Sequence, residues 1–397
     1  MKIHLSLRKH CYLAALSLAV AERTLLTGIA WHGALYNLAG LADRLCAMLV
    51  MGLLAVSFGA DVKKGWRKRH IIVLLILSLL AVSAWITKET MLLSSAAFIL
   101  LARNIPYEKI TKAFFHTAWV SLLLLMTAYV LGFTESYDVE FGYAVGRSLG
   151  MAHPNNLAAA SGTAVLLWGY RQRKQPILYT VLGMFASALL IYGVTASRTM
   201  LVLQVTCCAA LPLYALLKRT HVQRIVRVIR FGFVLLFACS VWMMLNNGDL
   251  VGTGLGDENF LSRFVSASAL FRQYGVKPFG AYIEFRSLRS ALLTGQPAVI
   301  LDPAYLFLII SQGIVPTGIF FFFFARATRR QIESGQAELL ILTGLFLIAG
   351  LMERYMLDST VDFALLSAFA LLETNNNGHT GHARYGHTIA QVRNKLF

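Results

Sequence analysis

HIIVLLILSLLAVSAWIT, residues 70–87, is an apolar run without a single Lys, Arg, Asp or Glu. As an α-helix this run would extend about 27 Å, close to the roughly 30 Å of hydrocarbon in a bilayer. The whole chain has the same character, because 57% of its 397 residues are hydrophobic and only 14% are charged. A soluble domain is roughly 45–50% apolar and about 25% charged. The composition therefore excludes a soluble enzyme and predicts a membrane protein.

Similar apolar runs recur along the chain. They lie at about 11–31, 42–60, 90–102, 113–132, 154–170, 177–193, 199–217, 231–246, 304–324, 337–351 and 356–372. Only helices or closed barrels satisfy backbone groups inside lipid, and these continuous runs lack the alternation of barrel strands. The sequence therefore predicts an all-α polytopic membrane protein with about twelve transmembrane helices. We expect a single integral-membrane domain over residues 1–372.

The positions of the basic residues predict which loops face the cytoplasm. The chain has 36 Lys and Arg against 19 Asp and Glu, and 25 of the basic residues lie in the termini and in alternate loops. Basic loops mark the cytoplasmic side, so both termini are expected there, together with a polar cytoplasmic tail at 373–397. Extracytoplasmic loops are expected at about 133–153 and, much longer, 247–303. The positive charge thus indicates topology, and no nucleic acid is expected as a partner.

The long extracytoplasmic loop contains apolar residues at helical spacing. They are Phe260, Leu261, Phe264, Val265, Phe271 and Tyr274. This pattern predicts an amphipathic helix that lies on the outer membrane surface or folds over the helix bundle.

No metal and no cofactor are expected. The five cysteines lie within apolar runs and lack CxxC spacing, which is typical of small core residues rather than of a zinc site or a disulfide framework. On the outer face the sequence has no carboxylate cluster that demands Mg²⁺.

Charged side chains stand at four places where a helix is expected to begin at the outer surface. A charge facing lipid is costly, so such residues indicate function. At the first place, Arg147 precedes His153 and Pro154, and proline suits the first turn of a helix. The free N–H groups of that turn attract anions. These residues and Asn155 predict an anion site beside a titratable histidine, and an ordinary capped helix with an interfacial arginine is the alternative.

The second and third places hold two more arginines. Arg198 begins the eighth apolar run, where its forked guanidinium can bind two phosphate oxygens or simply extend to the interface. Arg263 lies in the long loop, and Asp302, Pro303 and Tyr305 open the tenth run. An Asp before a Pro is a good helix N-cap, so capping alone can explain Asp302.

The fourth place is the last apolar run. Glu353 and Arg354 precede it, and Asp358 and Asp362 are four residues apart within it, on one expected helix face. Ion pairing of these acids with Arg354 is the structural alternative to a functional site.

Five basic or titratable side chains are thus expected on one side of the bundle: Arg147, His153, Arg198, Arg263 and Arg354. This arrangement suits a lipid-linked diphosphate, whose head group lies at that depth and needs forked donors.

Five stretches, in this order, resemble the O-antigen polymerase and ligase superfamily, which includes the Wzy-type polymerases of bacterial surface polysaccharides. They are GMAHPNNLAA (150–159), TASRTMLVL (195–203), LSRFVSASALFRQYGVKPFG (261–280), DPAYLFLIISQGIVPTGIF (302–320) and an ER…LDS pattern near 353–359. Each motif is loose, and the resemblance rests on their order and on the long loop before DPAY. It covers about residues 130–370.

The resemblance implies a glycosyltransferase in the bacterial cytoplasmic (inner) membrane. Such a polymerase transfers O-antigen, capsular or exopolysaccharide repeat units from polyprenyl (undecaprenyl) diphosphate to an acceptor sugar hydroxyl on the outer face. Flippase and chain-length regulator proteins are the expected partners. The resemblance further implies that Arg198 and Arg263 bind the donor diphosphate with Arg147 and His153 nearby. Substrate contacts are also expected from Asn155, Tyr305 and Arg354.

Transfer to a hydroxyl requires a base and a positive charge for the developing diphosphate. We expect Asp302 to be the base, with His153 second and Glu353 as a further alternative. The ligase branch has a His where this chain has Asp302, which favours a polymerase. A ligase with the same donor, a flippase or transporter of lipid-linked oligosaccharide, and a structural membrane partner without activity are the competing hypotheses.

Overall fold

A computed structural model of the chain describes residues 2–27, 29, 33–63, 65–141, 143–172, 175–216, 219–246, 258–286 and 295–372. The expected tail at 373–397 lies outside these residues. The chain is mostly helical.

The first α-helices are α1 (Lys2–Glu22), α2 (Gly33–Val62), α3 (Lys68–Thr87), α4 (Met91–Leu101) and α5 (Tyr107–Val130). A short antiparallel hairpin follows, made of β1 (Val139–Glu140) and β2 (Val145–Gly146). The later helices are α6 (Pro154–Arg171), α7 (Ile177–Thr195), α8 (Arg198–Leu216), α9 (Arg219–Leu245), α10 (Glu258–Tyr274), α11 (Ala304–Leu306), α12 (Ile314–Glu333) and α13 (Ala337–Ala349).

Four helical segments among the described residues are long and apolar enough to cross a membrane. They are Asn37–Val62 within α2, and the whole of α3, α5 and α7. Only 17–28% of each apolar stretch is buried inside the protein, so most of this apolar surface faces outward, as contact with lipid requires. The prediction of a helical protein with membrane-crossing segments is confirmed in this form, and the total of about twelve spans stays a prediction.

The short run expected at 90–102 forms α4, which is a core helix. Its 11 residues are too few to cross a bilayer, and Ala96, Phe98 and Ile99 are fully buried. The helix is apolar on all sides because other parts of the protein cover it.

The span expected at 356–372 is not an α-helix, and this prediction was wrong. The chain forms two 3₁₀ helices here, Arg354–Leu357 and Phe363–Ala368. Phe363 and Leu365 are completely buried, and the second 3₁₀ helix packs against α4, α5, α12 and α13. The segment is apolar because it fills the core of the protein, and an apolar run alone does not distinguish a core segment from a lipid-facing one.

The run expected at 304–324 is broken by a close contact between two backbones. After α11 the chain forms a π-helix, Phe307–Gln312, and turns at Gly313, whose φ of 96° favours glycine. Gly280, which follows α10, meets this turn so closely that a Cβ atom on it would lie 1.9 Å from the Ser311 carbonyl oxygen. The Ala281 N–H donates to the same oxygen over 2.9 Å. This contact fixes the chain after α10 against the start of α12.

The amphipathic helix predicted in the long loop is α10. Leu261 and Phe264 on its apolar side are buried, whereas Val265 is exposed. The helix packs against α9 and the π-helix, so it folds over the bundle, the second of the two expected positions. Parts of the expected loop, residues 247–257 and 287–294, lie outside the described residues.

A buried ion-pair network, here called the Asp61 cluster, joins the first three helices. Asp61 lies 3.1 Å from Arg8 Nη1, 3.2 Å from Arg69 Nη2 and 3.2 Å from His70 Nε2. Arg8 also donates to the Arg103 carbonyl oxygen over 2.7 Å, just before α5 begins. One carboxylate therefore ties together residues of α1, α2 and α3.

Candidate functional site

One arginine joins two carboxylates from distant parts of the chain. Nη1 of Arg263 lies 3.3 Å from Asp302 Oδ2 and 3.3 Å from Glu353 Oε1, and it donates to the Met352 carbonyl oxygen. The Arg263, Asp302 and Glu353 side chains are 21%, 28% and 13% exposed. Together with His153, these three residues are called the Asp302 cluster. The cluster is sheltered but reachable from outside.

Backbone contacts explain why Asp302 and Glu353 meet. The Ala304 N–H donates to the Gly350 carbonyl oxygen over 2.8 Å, so the start of α11 docks on the end of α13. Pro303 is the residue that precedes α11, and no side-chain hydrogen bond caps this helix within the described residues. Capping therefore does not account for Asp302, whose carboxylate turns to Arg263 instead.

His153 caps α6 and lies within electrostatic range of the cluster. Its Nδ1 accepts a hydrogen bond from the Asn155 N–H over 3.1 Å. Burial lowers the pKa of His153, while Asp302 raises it and Arg263 lowers it further. The neutral ring then carries its proton on Nε2, where it can donate but cannot accept a proton. This geometry favours a hydrogen-bond donor over the general base that the sequence predicted as second choice.

Within the Asp302 cluster, Glu353 is the carboxyl group whose pKa lies near neutral pH. Burial raises the pKa of Glu353 to about 7, with the Arg263 charge opposing and the Asp302 charge supporting this shift. Both the acid and the carboxylate are therefore populated near neutral pH, which is the property of an effective general base.

An aromatic pair connects His153 to Arg198. The Phe141 and His153 ring centroids are 6.3 Å apart, and those of Phe141 and Tyr143 are stacked at 5.9 Å. The Arg198 guanidinium lies 3.4 Å above the Tyr143 ring centre, a cation–π contact. The Tyr143 hydroxyl donates to the Ala196 carbonyl oxygen over 2.9 Å. Arg198 at the start of α8 is thus linked to the histidine at the start of α6.

The hairpin that carries these rings is fixed on the end of α7. A Cβ atom on Gly146 would lie 2.4 Å from the Thr195 carbonyl oxygen, and the Arg147 N–H donates to the Val194 carbonyl oxygen over 2.7 Å. The Arg147 side chain itself is 68% exposed and 4.0 Å from Asp138. Its backbone is held while its charge points outward, as an anion contact requires.

Tyr305 does not reach this surface. Its side chain is completely buried, and its hydroxyl donates to the Leu347 carbonyl oxygen over 2.6 Å. A substrate contact needs an accessible atom, so we correct the prediction and assign Tyr305 to the core.

Arg354 does not pair with the acids expected beside it. Its guanidinium lies 5.2 Å from the Phe285 ring centre and 5.0 Å from the Phe307 ring centre. The charge of Arg354 also acts on Glu89, where it opposes the effect of burial on the pKa of that carboxyl group. Asp358 pairs instead with Arg23. The expected ion pairing within the last run was wrong because that run is not one helix.

Asp362, the second acid of the last run, caps a helix. Its Oδ1 accepts from the Leu365 N–H over 3.2 Å, at the start of the second 3₁₀ helix. Helix capping therefore accounts for one of its carboxylate oxygens, whereas Oδ2 is buried without a hydrogen-bond partner among the described residues.

Sequence reasoning missed the two aromatic residues and the partner of Arg23. Phe141 and Tyr143 lie between β1 and β2, and no motif of the sequence marks them. Arg23 and Glu22 interrupt the first apolar run, where they are expected to pair with each other or to mark an interface. Nothing in the sequence indicates the observed partner, because Asp358 is 335 residues away from Arg23 along the chain.

Within the described residues, no group of three or more His, Cys, Asp or Glu side chains could hold a metal ion. Cys207 and Cys208 are buried, and all five cysteines are free thiols.

No family model matches this chain, and no curated protein or solved structure matches it either. The fold and the site therefore define a class only. The chain is mostly helical, with four helices among the described residues able to cross a membrane. It holds a half-sheltered group of two carboxylates and one arginine, with a histidine within electrostatic range.

Proposed function

We propose that the chain is a glycan polymerase of the bacterial cytoplasmic membrane. It would transfer the growing chain from polyprenyl diphosphate to a sugar hydroxyl of the next lipid-linked repeat unit, on the outer face. The observation that carries this proposal is the Asp302 cluster, in which Arg263 holds Asp302 and Glu353 next to His153.

The acceptor hydroxyl needs a base as it attacks the anomeric carbon. We assign this role to Glu353, because its pKa of about 7 lets it take a proton at neutral pH. Asp302, the base expected from the sequence, shares the same guanidinium atom and is more exposed. We therefore assign Asp302 to orienting Arg263 and to raising the proton affinity of Glu353.

The leaving diphosphate needs positive charge. Arg198 and Arg147 are exposed, and both are fixed at the end of α7 and the start of α8 through the hairpin. Guanidinium groups bind phosphate oxygens in pairs. Arg263, which the sequence predicted as a second diphosphate ligand, is occupied by two carboxylates, so its proposed role moves to the acceptor side.

The experiment compares cells that depend on the wild-type chain, the Glu353→Gln variant or the Glu333→Gln variant, expressed at matched levels. The readout is the length distribution of lipid-linked glycan and the membrane face on which it accumulates. Loss of a general base lowers a rate by roughly 10²–10⁴. We expect single repeat units to accumulate on the outer face with Glu353→Gln.

Glu333 is the matched control, because it is an exposed glutamate that pairs with Arg329 at 2.7 Å, away from the site. Its variant should make chains of normal length. Normal chains with Glu353→Gln would contradict the proposal. Donor trapped on the inner face would favour a flippase, and full-length glycan left on the lipid carrier would favour a ligase.

A further inference from the structure

A cavity of about 230 Å³ lies between α1, α5, α6 and the chain around Thr360. Its polar lining includes Arg23, Asn156, Thr163 and Thr360. Asn156 stands in the first turn of α6, three residues after His153. Thr163 lies two turns deeper in the same helix, about 10 Å further in. The cavity therefore extends inward from the helix end that carries His153.

The deepest polar group in this cavity lacks a hydrogen bond. Thr163 is only 2% exposed, and its Oγ1 contacts no hydrogen-bonding group among the residues that the structure describes. A buried hydroxyl without a partner is unfavourable. A ligand that brings its own hydroxyl group into the cavity would remove this penalty.

The charges around the cavity disfavour an anionic ligand. Arg23 pairs with Asp358, and Asp358 Oδ1 accepts from both the N–H and the hydroxyl of Thr360, over 2.8 and 2.6 Å. Glu22 lies in electrostatic contact with Asp358 and with Asp43. The charge of Arg23 is therefore balanced by Asp358, and no other basic side chain lines the cavity among the described residues, so a diphosphate would find no unbalanced positive charge there.

The remaining walls are apolar and include Phe114 and Met151, both about 99% buried. The cavity is smaller than the roughly 300–1,000 Å³ pockets that hold drug-sized ligands. A small ring with hydroxyl groups on its rim and apolar C–H faces matches this lining.

We propose that this cavity binds one uncharged sugar residue of the acceptor chain. The inference rests on the proposed polymerase function, because it assigns the acceptor to the inner side of α6 and leaves the diphosphate donor to Arg198 and Arg147. In this arrangement the acceptor and donor sites meet at the start of α6, beside the Asp302 cluster.

The test measures binding by the purified full-length chain in lipid nanodiscs, using saturation-transfer NMR. The probes are the methyl glycosides of glucose, galactose, mannose and N-acetylglucosamine, with inorganic diphosphate as a competitor. We expect at least one glycoside to bind and diphosphate to leave it in place. Ala160→Leu adds three carbon atoms to the wall of the cavity and should abolish the signal, because the narrowed space no longer admits a sugar ring.

Thr163→Val removes the unpartnered hydroxyl and should weaken binding roughly five-fold, the effect of about one neutral hydrogen bond. Ser240→Ala is the matched control, because Ser240 also has a buried hydroxyl without a partner among the described residues but does not line the cavity. Its binding should be unchanged. Thermal unfolding of each variant verifies that it is folded, and Thr163→Val should melt at or above the wild-type temperature.

Three results would overturn the inference: no glycoside binds, binding survives Ala160→Leu, or diphosphate displaces the sugar. Binding is measured without turnover, so it should persist in Glu353→Gln. Sugar binding with normal chain growth in Glu353→Gln would remove the polymerase mechanism alone. Loss of chain growth in Glu353→Gln without sugar binding would remove the cavity assignment alone.

Discussion

Two clusters of arginine, carboxylate and histidine side chains lie at opposite ends of α5. The Asp61 cluster reaches the Arg103 carbonyl oxygen just before α5 begins, and the hairpin that contacts His153 of the Asp302 cluster follows the end of α5. The helix between them is about 36 Å long. The same side-chain types thus occur twice, in opposite proportions.

In the Asp61 cluster, two guanidinium groups and an imidazole surround one carboxylate, and the Arg8 and Asp61 side chains are only 3% and 9% exposed. In the Asp302 cluster, one guanidinium serves two carboxylates, and these side chains are 13–28% exposed, against 2–19% in the Asp61 cluster. The first arrangement holds three helices together. The second leaves carboxylate charge only partly compensated, and the burial of Glu353, supported by the charge of Asp302, lets this acid exchange a proton near neutral pH.

The aromatic neighbours differ in the same way. The edges of Phe58 and Trp66 contact His70 at 5.8 and 6.0 Å, and the ring is enclosed. Phe141 contacts His153 but continues through Tyr143 to a second arginine. His70 is therefore enclosed within the Asp61 cluster, whereas His153 is connected through two aromatic rings to the exposed Arg198.

The largest expected effect is a loss of folding stability when the Asp61 cluster is broken. Asp61→Asn leaves Arg8 and Arg69 without their carboxylate, and breaking a buried ion pair in this way costs about 3–5 kcal/mol. Asp302→Asn should lower the free energy of unfolding by about 1 kcal/mol or less, because Arg263 still pairs with Glu353 in this variant and the site is partly solvated. Thermal unfolding in detergent measures both. Equal destabilisation by the two substitutions would remove the distinction between the clusters.

The fold could be predicted from the sequence only where hydropathy determines it. The run at 70–87 became α3 within one or two residues, because only 22% of its apolar stretch is buried and its length and composition largely decide its bounds. The run at 356–372 is equally apolar, yet it folds into 3₁₀ helices in the core. Whether an apolar segment faces lipid or protein depends on its neighbours, which a hydropathy pattern does not contain.

The site could be predicted in its residue types and only partly in its roles. Asp302, Arg263 and His153 stand out in the sequence because charges at helix ends need a reason. Asp302 and Arg263 do form an ion pair, with His153 within electrostatic range. Arg263 pairs with both Asp302 and Glu353 because the Ala304 N–H binds the Gly350 carbonyl oxygen and brings the two acids together. The spacing of residues along the sequence does not predict this contact. The prediction that Tyr305 contacts substrate was wrong for the same reason, since the burial of Tyr305 depends on packing against α9 and α13.

A smaller effect concerns the pH dependence of stability. The pKa of Glu353 is raised from 4.5 to about 7 in the folded chain, so the folded state binds more protons than the unfolded state between these values. The contribution of Glu353 to stability is therefore fully present below about pH 4.5 and is lost as pH rises to about 7, a change of up to about 3 kcal/mol. Unfolding temperatures measured across this range should decline in the wild type and in Asp61→Asn.

Glu353→Gln should show a shallower decline than the wild type, because the amide does not titrate while other half-buried carboxyl groups, Glu22 and Glu89, still do. The same pH slope in Glu353→Gln and in the wild type would mean that another group causes the slope. The Asp302 cluster would then contain no acid that exchanges a proton near neutral pH.

The smallest expected effect tests whether the Asp302 cluster acts together with Arg198. Tyr143→Leu removes the ring beneath the guanidinium, a contact worth about 0.5–1 kcal/mol at an exposed site. Half-maximal chain growth should then need about two to five times more lipid-linked donor. Tyr143→Phe keeps the ring and loses only the hydrogen bond to Ala196, so its donor requirement should stay near that of the wild type. A similar increase in both variants would mean that the hydroxyl, by fixing the hairpin, matters more than the cation–π contact. No increase in either would separate Arg198 from the Asp302 cluster, leaving the cluster as isolated in function as the Asp61 network.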